Sequence, residues 1–260
     1  MNYYNAKEIV SVVNKVAEAK ANTSESRTIV LAILAGGYIA MGGLLALVVG
    51  GGLPGLAESN PGLQKFFFGA VFPLGLILVA IAGADLFTGN TAYFVPSLFE
   101  GRIKFKSILK NWSLVYGGNF IGSIIVAFFF AYLTDIFAED PWLDSVKSIA
   151  IGKTSAPFYK AFIKGIACNW MVALAMWLSY GAKDVTGKII GIWFPIMAFV
   201  AMGFEHSIAN MFFIPTAMFY GADITWTSFI VNNLIPVTLG NIVGGALFVG
   251  TAYWFIYEKN

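Results

Sequence analysis

Three ionisable side chains, Asp85, Glu205 and His206, fall within stretches of this sequence that are otherwise apolar. Such groups are costly to bury, pair with one another or with backbone, and mark paths for ions and protons. His206 is the single histidine of the chain and Glu205 is its neighbour. A lone His also serves as hydrogen-bonded packing between helices, but the adjacent acid and Thr88 in the other interrupted run favour a chemical role. Asp85 and Glu205 admit two readings. As functional groups they repel anions or handle protons; as structural groups they cap helix ends or accept hydrogen bonds from backbone and Asn. The structural reading is the stronger, because the free N–H groups at a helix start need acceptors and attract negative charge. Asn90, Asn119, Asn169, Asn210 and Asn241 read mainly as glue between helices, with one or two left to line a path.

Other chemistries find little support. One His and one Cys cannot complete a metal coordination shell, and Cys168 reads as a small buried hydrophobe. Ser207 follows His206 directly, so the two side chains diverge by about 100° on a helix and cannot form a nucleophile–base pair. Gly50-Gly51-Gly52 lacks the following Lys-Ser/Thr of a phosphate loop. The sequence therefore predicts no enzyme, no cofactor and no metal. A net charge of +2 gives no concentrated basic face for nucleic acid.

The elements that position these residues follow from composition. Of 260 residues 58% are hydrophobic and 12% charged, with a mean hydropathy of +0.75, against about a quarter charged in soluble domains. A bilayer core needs about 20 apolar residues per helix. Runs of that kind lie at 28–52, 66–99, 109–137, 157–181, 188–220 and 228–257. The second and fifth are too long for one straight span, and both hold Gly and Pro. Residues 1–27 differ: Asn5 and Glu8 suggest a capping box, and Ile9, Val12, Val13 and Val16 recur at helical spacing. An amphipathic helix results, either lying on the membrane or packed on neighbouring loops. Placing the N-terminus in the cytoplasm puts eleven Lys and Arg on that side and five on the other, so the chain is expected in a cell membrane with both termini cytoplasmic. Residues 28–257 then form one membrane domain, and 258–260 a short tail.

A shift of 122 residues aligns the chain with itself. Gly69, Phe72 and Pro73 fall on Gly191, Phe194 and Pro195; Asn111, Asn119 and Gly122 fall on Asn233, Asn241 and Gly244. Three spans per half, about 28–137 and 157–257, require the halves to be inverted in the membrane. That architecture sets a site near the midplane where interrupted helices meet. The expected breaks are at Gly83–Asn90 and Gly203–His206, and irregular backbone at that depth must pack in protein or line a cavity. The fold class is thus all-α, six transmembrane helices as two inverted repeats, helices two and five broken at the midplane.

Several stretches carry a family resemblance: Gly83 to Asn90 (Gly-Ala-Asp-Leu-Phe-Thr-Gly-Asn), Asn169-Trp170-Met171-Val172, Gly203 to Met211 (Gly-Phe-Glu-His-Ser-Ile-Ala-Asn-Met), and Asn233 to Asn241 (Asn-Leu-Ile-Pro-Val-Thr-Leu-Gly-Asn). The chain resembles the formate/nitrite transporter family over nearly its whole length. The resemblance implies an aquaporin-like protomer, a homopentamer in membrane lipid, and one substrate path per subunit. It makes His206 the central histidine, Thr88 its partner and Lys153 the vestibule lysine, with Asn169 on the substrate path. It places Leu76, Phe87, Val172 and Phe199 in one constriction and Phe72 and Leu86 in the opposite one. Asp85, Glu205 and Asn241 are structural or proton-handling. The expected substrate is a small monovalent anion, formate first, then nitrite or hydrosulfide, accompanied by a proton. A bare carboxylate crosses a dry ring at a cost of many kcal/mol, whereas the neutral acid does not. Lys153 would concentrate the anion at the mouth, and desolvation there would favour its protonation. A neutral-solute facilitator of the aquaporin kind stands as the alternative, although the twin Asn-Pro-Ala signature is absent.

Overall fold

The computed structural model describes residues 3–259. Among these, eleven helices and no strand carry the fold. They are α1 (Ala6–Ala21), α2 (Glu25–Gly51), α3 (Pro54–Ser59), α4 (Pro61–Gly83), α5 (Phe87–Phe99), α6 (Phe105–Tyr132), α7 (Trp142–Thr154), α8 (Phe158–Gly181), α9 (Val185–Ala201), α10 (Ser207–Phe219) and α11 (Trp226–Tyr257). Five of them, α2, α4, α6, α8 and α11, are long and apolar enough to cross a membrane, and α9 and α10 are shorter apolar helices. Large apolar side chains such as Phe129, Ile163, Leu178 and Phe255 stand on the outer surface. A bilayer accepts such a surface, whereas a soluble monomer rarely shows it.

Two of these helices, α3 and α7, lie where the sequence suggested no element. α3 has no buried residue, and α7 buries Val146, Ala150 and Thr154 at helical spacing but is too polar to read as an apolar run. The capping box of α1 is present on both sides: Glu8 N–H donates to Asn5 Oδ1 at 3.0 Å and Asn5 N–H to Glu8 Oε2 at 2.7 Å. Of the two readings for this helix, the structure takes the packed one. Ile9, Val10, Val13 and Ala17 are buried against α5 and α8, and each large apolar side chain so covered contributes about 1.5–3 kcal/mol. Polar contacts fix the register: Ser97 Oγ donates to Asn14 Oδ1 and Asn14 Nδ2 donates to Glu100 Oε1. Arg102, in the loop after α5, binds Glu100 at 2.6 Å and Glu18 of α1 at 3.1 Å. Its guanidinium is held above its ordinary pKa first by Glu100, then by Glu18. Because α1 also touches the last turns of α11, both ends of the described chain lie at one end of the bundle. That is called the α1 end below; α7 covers the opposite one.

Two helix pairs, α2 with α6 and α8 with α11, approach closely enough for backbone to meet backbone. A Cβ at Gly122 would stand 1.9 Å from the Ile33 carbonyl oxygen, and one at Gly244 2.3 Å from that of Ile166. These glycines are mates under the 122-residue shift, so the same contact is built twice. Gly122→Val is expected to force α2 and α6 apart at the upper end of the about 1–3 kcal/mol that overpacking costs. The check is the yield of monodisperse protein on size exclusion in detergent, which should collapse relative to a Gly117→Val control, where a Cβ meets nothing.

Candidate functional site

The site begins where α4 stops. Gly83 adopts φ +83°, Ala84 and Leu86 are extended, and α5 starts at Phe87. The second interruption is alike: Gly203 has φ +70°, His206 is extended, and α10 starts at Ser207. A glycine turns the chain at each place because the left-handed region excludes other residues at low cost.

Asp85 and Glu205, buried at these interruptions, anchor two networks that match bond for bond. Asn90 Nδ2 donates to Asp85 Oδ1 at 2.7 Å and to Asn111 Oδ1 at 2.8 Å. Asn210 Nδ2 does the same to Glu205 Oε2 at 2.7 Å and to Asn233 Oδ1 at 2.8 Å. Asn119 accepts from Phe87 N–H at 3.0 Å and donates to the carbonyls of Ala32 and Asp85. Asn241 accepts from Ser207 N–H at 2.9 Å and donates to those of Gly165 and Glu205. Each carboxylate also meets one lysine: Lys20 of α1 pairs with Asp85, and Lys153 of α7 with Glu205 at 3.0 Å. These contacts supply partners to chain that has left helical geometry, while the Oδ1 atoms of Asn90 and Asn210 have none.

His206 closes the gap between the interruptions. Its Nδ1 accepts from Ala209 N–H at 3.1 Å, capping α10, so the ring proton sits on Nε2. Nε2 lies 3.1 Å from Thr88 Oγ1, and Phe199 stacks on the imidazole with centroids 6.0 Å apart. Asn169 braces Thr88 from behind, donating to its carbonyl at 3.1 Å and to Thr91 Oγ1 at 2.9 Å.

Two cavities flank this centre. The one at the α7 end measures about 480 Å³, and His206, Lys153, Phe72, Phe199, Asn210 and Phe213 contribute to its wall. The one at the α1 end measures about 190 Å³ and is lined by Lys20, Leu76, Val79, Leu86, Asn90 and Tyr93, among others. The apolar rings therefore group differently from the expectation. Leu86 joins Leu76 at the α1 end, and Phe199 joins Phe72 at the α7 end. Phe87 belongs to neither: its ring packs on Tyr116 at 4.8 Å and Trp112 at 5.9 Å and lines an outer groove with Ile230 and Leu239. The reason is local. Leu86 is the last extended residue and Phe87 the first helical one, so consecutive side chains diverge. Val172 is buried on α8 and Asn169 beside it, and neither lines these two cavities.

Sequence reasoning missed Lys20 as the counterpart of Lys153. A shift of 133 relates them, as it relates Ala32 to Gly165 and Ile33 to Ile166, but the alignment at 122 covers only the later spans of each half. It also missed the pairing of Asn90 with Asn210, which a shift of 120 rather than 122 reveals: each lies five residues after its acid. No group of three or more His, Cys, Asp or Glu capable of holding a metal occurs among the described residues.

Comparison with known proteins supplies the frame for this geometry. The formate/nitrite transporter family profile matches residues 7–255. A probable formate transporter of Methanothermobacter thermautotrophicus is similar at 48% identity, over 94% of this chain and 93% of that protein. A solved pentameric formate channel with formate bound is similar at 38% identity and a TM-score of 0.79, over 90% of this chain and 98% of that one. An ion channel of the same family superposes with a TM-score of 0.85 at 32% identity, over 96% and 98% of the two chains.

Proposed function

The chain belongs to the formate/nitrite transporter family, and from that premise we propose that it is a cell-membrane channel carrying small monovalent weak acids, formate first, together with a proton. The observation that carries this reading is the Thr88–His206 contact, standing between two separate cavities walled by apolar rings. An anion held in such a ring loses its hydration without a counter-charge, whereas the neutral acid loses little. Leu76 and Leu86 form the constriction at the α1 end, Phe72 and Phe199 the one at the α7 end. Asp85, Glu205 and Asn241 hold the interruptions in place. Lys153 receives the solute at the mouth, and Thr88 with His206 gives it polar partners at the centre.

The topology proposed with this function has six spans: α2, α4 with α5, α6, α8, α9 with α10, and α11. Two inverted halves place both interruptions near the midplane. The matched networks around Asp85 and Glu205 support it, as does the bond of Tyr116 Oη to its repeat mate Thr238 Oγ1 at 2.7 Å, which marks the pseudo-two-fold axis. The excess of basic residues at the α1 end puts both termini in the cytoplasm. Similarity to the pentameric channel supports a homopentamer with one path per subunit.

Uptake of labelled formate into proteoliposomes tests the proposal, with nitrite, hydrosulfide, lactate and glycerol as competitors. Carboxylic acids titrate near pH ~4, so the neutral fraction falls about tenfold per unit between pH 5 and 7. Saturable uptake that rises steeply with acidity, carries no net charge and is inhibited by nitrite is the expected result. Glycerol passage without formate uptake would overturn it.

A further inference from the structure

The inverted repeat supplies an internal comparison. Thr88 and Ile208 are the second residues of α5 and α10 and are mates at the shift of 120. The first N–H of each helix is held by its own asparagine, Asn119 or Asn241. The carbonyls of the second residues are held differently. That of Thr88 accepts from Thr91 Oγ1 at 2.7 Å and from Asn169 Nδ2 at 3.1 Å. That of Ile208 meets one side-chain donor among the described residues, Ser123 Oγ, at 3.4 Å.

Three residues make the difference. Thr91 stands where the other half has Met211, at the shift of 120. Asn169 stands where it has Gly36, at 133, and Gly245 where it has Ser123, at 122. At Gly36 α2 packs directly on α6: a Cβ there would stand 2.0 Å from the Asn119 carbonyl oxygen. Between α8 and α11 the corresponding place holds the Asn169 amide, which donates to the Asn241 carbonyl at 2.6 Å. Carbonyls only accept, so the amide nitrogen must face them, and it also reaches Thr91 Oγ1 at 2.9 Å. Gly245 leaves room for this arrangement. A Cβ there would stand 2.1 Å from Thr91 Oγ1 and 2.7 Å from Asn169 Nδ2.

A threonine in a helix commonly bonds back to a carbonyl of the preceding turn for its own needs. That does not account for Asn169 and Gly245, which come from two other helices and converge on the same carbonyl. Nor does the start of a half-helix require them, since α10 begins alike without any of the three. What the two starts do not share is the task of the second residue. Thr88 presents a hydroxyl to His206 Nε2 at 3.1 Å, and Ile208 has none to present.

We propose that Thr91 is a positioning residue for Thr88, acting with Asn169 in the space that Gly245 leaves, and that this cluster sets the Thr88 hydroxyl against His206. The Phe87 N–H before Thr88 and the carbonyl after it are both pinned, and the staggered side chain follows the backbone. Asn169 also ties the cluster to the other interruption. The Asn241 whose carbonyl it binds is the residue that holds Ser207 N–H, next to His206. The proposal rests on the weak-acid reading above, in which the Thr88–His206 contact meets the solute.

His206 is the single histidine of the chain, so labelling histidine ring nitrogens gives one imidazole in the NMR spectrum, and its Nε2 resonance reports the Thr88 contact. Thr91→Val removes the hydroxyl and strands no donor, because the two N–H groups of Asn169 keep the Thr88 and Asn241 carbonyls. It is expected to move the Nε2 resonance in the direction that Thr88→Val moves it. Formate uptake into proteoliposomes should fall by about three- to tenfold, the factor that one hydrogen bond supplies. Thr91→Ser keeps the hydroxyl and should retain both the resonance and most of the uptake. A resonance unmoved by Thr91→Val or by Thr88→Val, unchanged uptake in Thr91→Val, or equal effects of Thr91→Ser overturns the proposal. No uptake of formate or nitrite by the unmodified protein would instead overturn the weak-acid reading, while the resonance still decides the geometry.

Discussion

His206→Phe lowers formate uptake by about 10- to 100-fold, while the protein still folds and uptake still rises with acidity through the neutral fraction of the solute. Two contacts decide the size of this effect. The Nε2–H facing Thr88 Oγ1 at 3.1 Å is the polar partner offered to a solute between the apolar walls, and leaving a buried polar group without a partner costs about 1–3 kcal/mol. Loss of that much from the barrier is about one to two powers of ten in rate. The second contact is the cap from Nδ1 to Ala209 N–H, whose loss costs about 1 kcal/mol of stability. Folding tolerates this, because α10 is buried on α2, α6 and α7. Phe is a flat ring like the imidazole and keeps the stack on Phe199. Flux and pH profile are read together in proteoliposomes. Unchanged flux would remove His206 from the mechanism.

The largest loss of stability is expected for Glu205→Leu. Its carboxylate accepts from Lys153, Asn210 and Asn233, and Lys153 is itself only 16% exposed. Removing one partner of a buried pair leaves the other charge uncompensated and costs about 3–5 kcal/mol. Thermal unfolding in detergent should drop accordingly. Lys153→Met in the same chain removes the stranded charge and is expected to restore more than half of the lost stability. Transport should not recover with it, since the double variant has no ammonium in the α7-end cavity. If the single and double variants melt together, the pair is not what holds the second interruption.

The relation between Asp85 and Glu205 was visible in the sequence because acids in apolar runs are few and the repeat brings them into line. Their partners were partly visible. Asn119 and Asn241 share the 122-residue shift, but Asn90 and Asn210 keep step with the acids at 120, so a single offset conceals them. Lys20 and Lys153 keep step at a third offset, 133, which the alignment at 122 does not show. Only the docking of α1 beneath α5, through Val10, Val13 and Ala17, carries that lysine to Asp85.

The sequence by itself determined that the chain is helical and apolar, where its long helices run, and which family it joins. These follow from local composition, from glycine at the turns, and from a run of specific residues around His206. The tertiary structure decided which side chains face which cavity. Leu86 and Phe87 are equally apolar neighbours, yet one lines a cavity and the other faces the outer groove, because the backbone passes from extended to helical between them. Phe72 and Phe199, 127 positions apart, meet with ring centroids at 6.0 Å because α4 and α9 pack together. Composition records how apolar a residue is. The direction it points depends on backbone angles and on the helices packed against it, and neither is written in its own position.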